Sequence, residues 1–186
     1  MQTRPLLIFA MEQESQDLFP GYDVLHSGIG KINAAYALTT RLAQAAPGLV
    51  INLGTAGSRR HKGGTIVNCT RFVQRDMNVT PLGFEKWQTP FSDDPVTIAH
   101  GLAIEGVMQG ICGTGDSFDI SAEATHFDVV DMEAYALALI CQRRSIPFLC
   151  LKYISDGAND DAHTDFTGTL RHAAGELLSA LKKSNY

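Results

Sequence analysis

No apolar run in this chain approaches the roughly 20 residues that a helix needs to cross a bilayer. The first, Leu6–Ala10, is short and meets acids at once, so it also lacks the layout of a secretory signal. Cysteine is sparse and scattered: the four residues stand at 69, 112, 141 and 150, with no CxxC pair. That pattern suits buried thiols in a reducing cytosol better than a disulfide framework. Positive charge is in deficit, with 15 Lys and Arg against 20 Asp and Glu and a net charge of −5. Nucleic acid, whose backbone needs clustered cations, is therefore not the expected partner. The one basic cluster, Arg59-Arg60-His61-Lys62, reads as a solvated turn rather than a phosphate site. A cytoplasmic protein that engages neither membrane nor nucleic acid is expected.

What is present is an ordinary globular composition, 45% hydrophobic and 19% charged, at the length of one domain spanning residues 1–186. Leu6-Leu7-Ile8-Phe9-Ala10 reads as a first, central strand because it is apolar throughout and bounded by Pro5 and by Glu12-Gln13-Glu14. Those acids, taken alone, are accounted for by the first turn of a helix, where they meet the positive end of its dipole. Asp23–His26 reads as a second strand. Ser27-Gly28-Ile29-Gly30-Lys31 then feeds a helix whose inner face is predicted to carry Ile32, Ala35, Tyr36, Thr39, Leu42 and Ala43. This glycine turn is not a dinucleotide fingerprint: Asn33 stands where a third glycine is needed, and Asn52 where the next strand should end in an acid. Leu49–Leu53 is a further buried strand, ending in Gly54-Thr55-Ala56-Gly57. Val96–Gln109 fits strand or helix, and Trp87–Pro95 reads as a loop.

Asp128–Asp160 organises the rest. Val129-Val130 is a short apolar run, and Glu133 then opens a helix with Ala134, Leu137, Ala138 and Cys141 on one face, closed by Arg143-Arg144. After Pro147, Phe148–Ile154 reads as a strand buried on both faces. It stops at Ser155-Asp156-Gly157, the strand end where open α/β sheets bind ligands. Two acids at the ends of core elements need partners or work, since a buried unpaired carboxylate is costly. In Asp160–Asp165 the single His163 has no partner at metal-ligand spacing. No metal or cofactor is expected. Leu170–Leu181 is an amphipathic helix with Leu170, Ala174, Leu177, Leu178 and Leu181 inward.

The motifs VVDMEAYA and YISDGAN resemble the VEMEA and ISD signatures of the purine nucleoside phosphorylase and nucleosidase superfamily, and most closely its 5'-methylthioadenosine/S-adenosylhomocysteine nucleosidases. AMEQE resembles that family's AMEEE, SGIGK its ribose-side loop, NLGTAG its NTGSAG, and GTGDSF its strand followed by SGDAF. The resemblance covers nearly the whole chain. It implies a three-layer α/β/α fold with a central mixed, mostly parallel sheet, and hydrolysis of the N-glycosidic bond of a purine nucleoside. By position it implies three catalytic acids. Glu14 would activate water, Glu133 would hold the ribose hydroxyls, and Asp156 would protonate the purine. It places Met11, Ser27, Gly30 and Thr55 at the substrate from the first half, with Met132 and Ser155 beside the later acids. Ser117 and Phe118 would meet the base, the latter by stacking, and Phe166 would close over it.

The resemblance also implies a homodimer, in which Arg75–Phe84 crosses the interface so that Val79, Leu82 and Phe84 line the partner subunit's pocket for the 5' group. Four departures stand out. The family's strand hairpin between Glu14 and SGIGK is reduced to Ser15–His26, Gly64 replaces the acid of GDIVV, Asp119 replaces an apolar residue, and Lys152 stands where Arg is common. Two other activities share these motifs. A phosphorylase would carry a phosphate-gripping Arg near Asn52, which offers no charge; a non-catalytic nucleoside-binding protein would keep the acids as ligands only.

Overall fold

The computed structural model describes residues 4–117, 122–156 and 162–184. It is an α/β fold around a mixed eight-stranded sheet, in which strands β1 (Leu6–Phe9), β2 (Asp23–His26), β3 (Val50–Gly57), β4 (Ile66–Gln74), β5 (Thr97–Ile98), β6 (Gln109–Thr114), β7 (Val129–Asp131) and β8 (Phe148–Asp156) are joined by helices α1 (Glu12–Ser15), α2 (Lys31–Gln44), α3 (Ala134–Arg143) and α4 (Ala162–Lys183). The order is β2-β1-β3-β7-β6-β4-β5, with β8 paired to both β3 and β4. β1 runs parallel to β2 and β3, β3 to β8, β4 to β6 and β6 to β7; the contacts β3–β7, β4–β5 and β4–β8 are antiparallel. The strands β3, β8, β4, β6 and β7 therefore close a circuit. Among the described residues no helix is long and apolar enough to cross a membrane.

The continuous apolar runs of β1 and β8 follow from burial on both faces. Alternate side chains of β1 enter different cores: Leu6 and Ile8 join α2 and α3, while Leu7 and Phe9 join α4 through Ala173, Ala174, Leu177 and Leu181. β8 divides the same way, with Phe148, Cys150 and Ile154 on the first side and Leu149, Leu151 and Tyr153 on the second. Helix α3 buries Ala134, Leu137, Ala138 and Cys141, the face its spacing predicts. The ambiguous stretch 96–109 supplies only the two-residue β5 and the first residue of β6. β3 runs on past Leu53 through Gly54-Thr55-Ala56-Gly57.

Helix α2 corrects the predicted face. Ala34 and Leu38 are buried and Ala35 and Leu42 pack partly against the core, while Ile32 is 80% and Tyr36 73% exposed. The buried stripe is displaced by one residue, a rotation of about 100°. Both stripes are apolar, and the one with the smaller side chains is buried because α2 lies close against α3; the larger Ile32 and Tyr36 face outward.

Candidate functional site

Strand registers bring the three proposed catalytic positions to one end of β3. Asp156, the last residue of β8, is aligned with Gly57, and Val130 of β7 is paired with the same Gly57, three residues before Glu133. Glu14 reaches β3 from the other side, at Gly54 and Thr55. The side chains of Asp156 and Phe166 lie outside the described part of the chain, as do Phe118 and Asp119.

Glu14 is buried in the four-residue helix that follows β1. Its Oε2 accepts the N–H groups of Ala10 at 3.1 Å and Met11 at 3.3 Å, and its Oε1 accepts the N–H of Thr55 at 2.9 Å and the Thr55 hydroxyl at 2.8 Å. Both acids stand in the first turn of the helix, as the helix-start reading expects: Glu12 is exposed, while Glu14 is turned inward. Gly54 leaves room beside it: a Cβ there would sit 3.1 Å from Glu14 Oε1 and press on the carboxyl group.

Glu133 is buried at the N-terminus of α3, and its Oε1 accepts the N–H of Gly30 at 2.9 Å across 103 residues of chain. Gly30 meets it at a φ of +92°, a conformation open to glycine. Burial, then the charge of Asp131, pushes Glu133 up from 4.5 to about 7; the ammonium of Lys152 and the Gly30 N–H pull downward, and Glu14 lies close enough to add a further upward push. Glu14 and Glu133 thus share one electrostatic neighbourhood. The hydroxyl of Ser27 is donated to the carbonyl of Gly28 at 2.9 Å, and Ser155 is buried with its hydroxyl 3.5 Å from the carbonyl of Ala56. Met11 and Met132 are both part-buried beside these acids. Ser117 is exposed on the loop after β6, where its hydroxyl accepts from Arg75.

The residues expected at a partner subunit stand on the surface of this one. Leu82 is 73% exposed in a short helical turn, Val79 precedes it, and Phe84 makes an edge contact with the exposed Phe91. Asn52 lies buried in the middle of β3, its amide donating to the carbonyl of Ile8 at 3.2 Å. The basic cluster is a surface turn, as its composition suggests: Arg60 pairs with Asp128 at 3.1 Å, and the N–H groups of Arg60 and His61 donate to Ser58.

Behind Glu133 stands a buried ion pair that none of the motifs announces. Lys152 and Asp131, both buried, meet at 2.8 Å inside the closed circuit of strands. Asp131 also accepts the Thr114 hydroxyl at 2.5 Å and the Ala134 N–H at 2.9 Å. Burial alone would raise Asp131, but the Lys152 ammonium and these donors hold it below the usual carboxylate range. Burial likewise opposes the charge on Lys152, and Asp131 overrides it to raise the ammonium's pKa well above its ordinary value. A lysine in the apolar run LCLKYI was the available signal, since a core lysine demands a counter-charge.

The family model of the phosphorylase superfamily matches residues 24–184. The 5'-methylthioadenosine/S-adenosylhomocysteine nucleosidase of Haemophilus influenzae (strain PittEE) is 36% identical over 176 residues, covering 83% of this chain and 77% of its own. Among solved structures, the nucleosidase of that name from Neisseria meningitidis, in complex with methylthio-immucillin-A, superposes with a TM-score of 0.82 at 28% identity, over 95% of both chains. The futalosine hydrolase of Helicobacter pylori strain 26695 superposes with a TM-score of 0.87 at 21% identity, over 98% of this chain and 97% of its own, a likeness of fold alone.

Proposed function

This chain belongs to the phosphorylase superfamily and is one of its purine nucleosidases, and we propose that it releases adenine from 5'-methylthioadenosine, S-adenosylhomocysteine or both through Glu14, Glu133 and Asp156. The observation that carries this reading is the seat of Glu14. Three backbone N–H groups and one hydroxyl converge on a carboxylate supplied by the chain itself. Those donors are already taken up by the Glu14 side chain and are not open to a phosphate. Asn52, with its amide spent on Ile8, adds no cation. The nucleophile is therefore water, and Glu14 takes its proton.

In the proposed reaction the bond between the ribose C1' and the purine N9 breaks with its electrons passing to the base, whose N7 receives a proton from Asp156. Water adds to C1' from the opposite face as Glu14 accepts its proton. Glu133, with Met132 beside it, accepts the ribose hydroxyl hydrogens and orients the ring, and Gly30 holds its carboxylate from behind. Met11, Ser27, Thr55, Ser117, Phe118, Ser155 and Phe166 complete the substrate's surroundings in this reading.

The wider proposal is a cytoplasmic homodimer of single three-layer α/β/α domains, each with a mostly parallel sheet. Exposed Ile29, Ile32, Tyr36 and Leu82 offer apolar surface for such a contact, with Val79, Leu82 and Phe84 completing the partner subunit's 5' pocket. The test is incubation with a panel of purine and pyrimidine nucleosides, with and without phosphate, while free base is followed. Adenine should appear at the same rate in both conditions, with a free rather than phosphorylated sugar. Release that depends on phosphate would establish a phosphorylase, and binding of methylthioadenosine without release a nucleoside-binding protein.

A further inference from the structure

Where β4 ends, two consecutive residues grip the loop that follows β6. The guanidinium of Arg75 donates to the Ser117 hydroxyl at 3.2 Å, to the carbonyl of Gly115 at 3.3 Å and to the carbonyl of Ser117. It lies so close over the loop that a Cβ on Gly115 would be 2.9 Å from its Cζ. Asp76, the next residue, accepts the N–H of Asp116 at 2.9 Å and the ammonium of Lys31. Asp116 closes the figure, accepting the Lys31 N–H at 2.8 Å and lying 3.3 Å from its ammonium.

Lys31 opens α2 directly after Gly30. The amides of Gly30 and Lys31 therefore run to different places, the first to Glu133 and the second to Asp116. The glycine turn on the ribose side is suspended between the ribose ligand and the loop of residues 115–117. The Lys31 side chain is only 15% exposed and stands between two carboxylates. Take its charge away and Asp76 and Asp116 repel each other across a hydrogen bond that the loop depends on.

We propose that Lys31 and Arg75 are positioning residues that lock the base-side loop 115–117 to the ribose-side turn and so set which purine edge the site accepts. This rests on the nucleosidase reading above. Neither side chain is placed on the substrate; both act through the loop. Lysine supplies the point charge that two carboxylates share, and arginine the planar fork that fits a hydroxyl and two carbonyls together, a geometry lysine cannot reproduce.

The experiment compares the wild-type protein with Lys31→Met and Arg75→Lys on 5'-methylthioadenosine and on its 6-oxo counterpart, 5'-methylthioinosine. For each variant KM for the 6-amino substrate should rise about tenfold with kcat within about threefold, and the preference for 6-amino over 6-oxo base should fall by a similar factor. Lys31→Arg should restore most of the preference. Unchanged KM and preference overturns the proposal, and so does an equal loss on both nucleosides, the mark of a merely structural role. Should Lys31→Met or Arg75→Lys not fold, the milder Asp76→Asn, which keeps an acceptor for the Asp116 N–H but removes the charge facing Lys31, decides alone: a KM rise confined to the 6-amino substrate supports the brace, and any other result overturns it. Absence of base release by wild type tells against the nucleosidase reading instead, and the same comparisons are then made on Kd.

Discussion

Replacing Glu133 by Gln should flatten the pH dependence of stability. The carboxyl is buried beside Asp131, and its pKa is pushed from 4.5 to about 7, burial being the largest cause. In the unfolded chain it titrates near its ordinary value, so between about pH 4.5 and 7 the folded protein keeps a proton that the unfolded chain has lost. The sign follows: this group favours the fold least at high pH, and stability falls as pH rises through that window. A displacement of this size is worth about 3 kcal/mol once the pH exceeds 7. Gln keeps the shape and an oxygen for the Gly30 N–H, but it does not titrate. Urea unfolding followed by far-ultraviolet circular dichroism from pH 4.5 to 8.5 reads the difference directly. The wild type should lose about 3 kcal/mol more than Glu133→Gln across that range, other titrations being common to both. Parallel curves for the two proteins would refute the assignment of a burial-raised carboxyl at this position.

Glu14→Gln should lower kcat for adenine release by about 100-fold or more, measured at saturating nucleoside, because the proton acceptor for water is gone. Lys152→Met should destabilise the fold by roughly 3–5 kcal/mol in chemical denaturation, since it strands Asp131 as an unpaired buried charge; adding Asp131→Asn should recover a large part of that loss. Gly101→Ala should cost roughly 3 kcal/mol and lower the thermal midpoint, because the new Cβ would lie 2.5 Å from the Cys69 carbonyl oxygen and 2.6 Å from Thr70 Cα, both backbone atoms that cannot step aside.

Elements whose pattern admits one solution were legible in the sequence. The run of β1 has no polar residue to present, that of β8 is apolar but for Lys152 until its end, and α3 carries its small and apolar residues on one stripe. Helix α2 is not legible in this way, because it has apolar residues on two stripes and spacing alone does not say which is pressed against α3. Of the proposed site, Glu14 and Glu133 are marked by motifs alone, and each side chain accepts a backbone amide from a distant part of the chain, Thr55 for Glu14 and Gly30 for Glu133. The Lys152–Asp131 pair and the brace at Lys31, Asp76 and Asp116 were not legible. Their partners stand 21 to 85 residues apart, and no local periodicity reports a contact made only by the sheet's closure.

Closure of the five-strand circuit also governs how the molecule meets its neighbours. Each of the five strands pairs with at least two others, and among the described residues only β2, four residues long, and β5, two residues long, pair with a single strand. A bare row of amides and carbonyls that short is a poor template for another chain to extend. The connectivity itself thus keeps the strands that pair on one side only too short to recruit a neighbour readily.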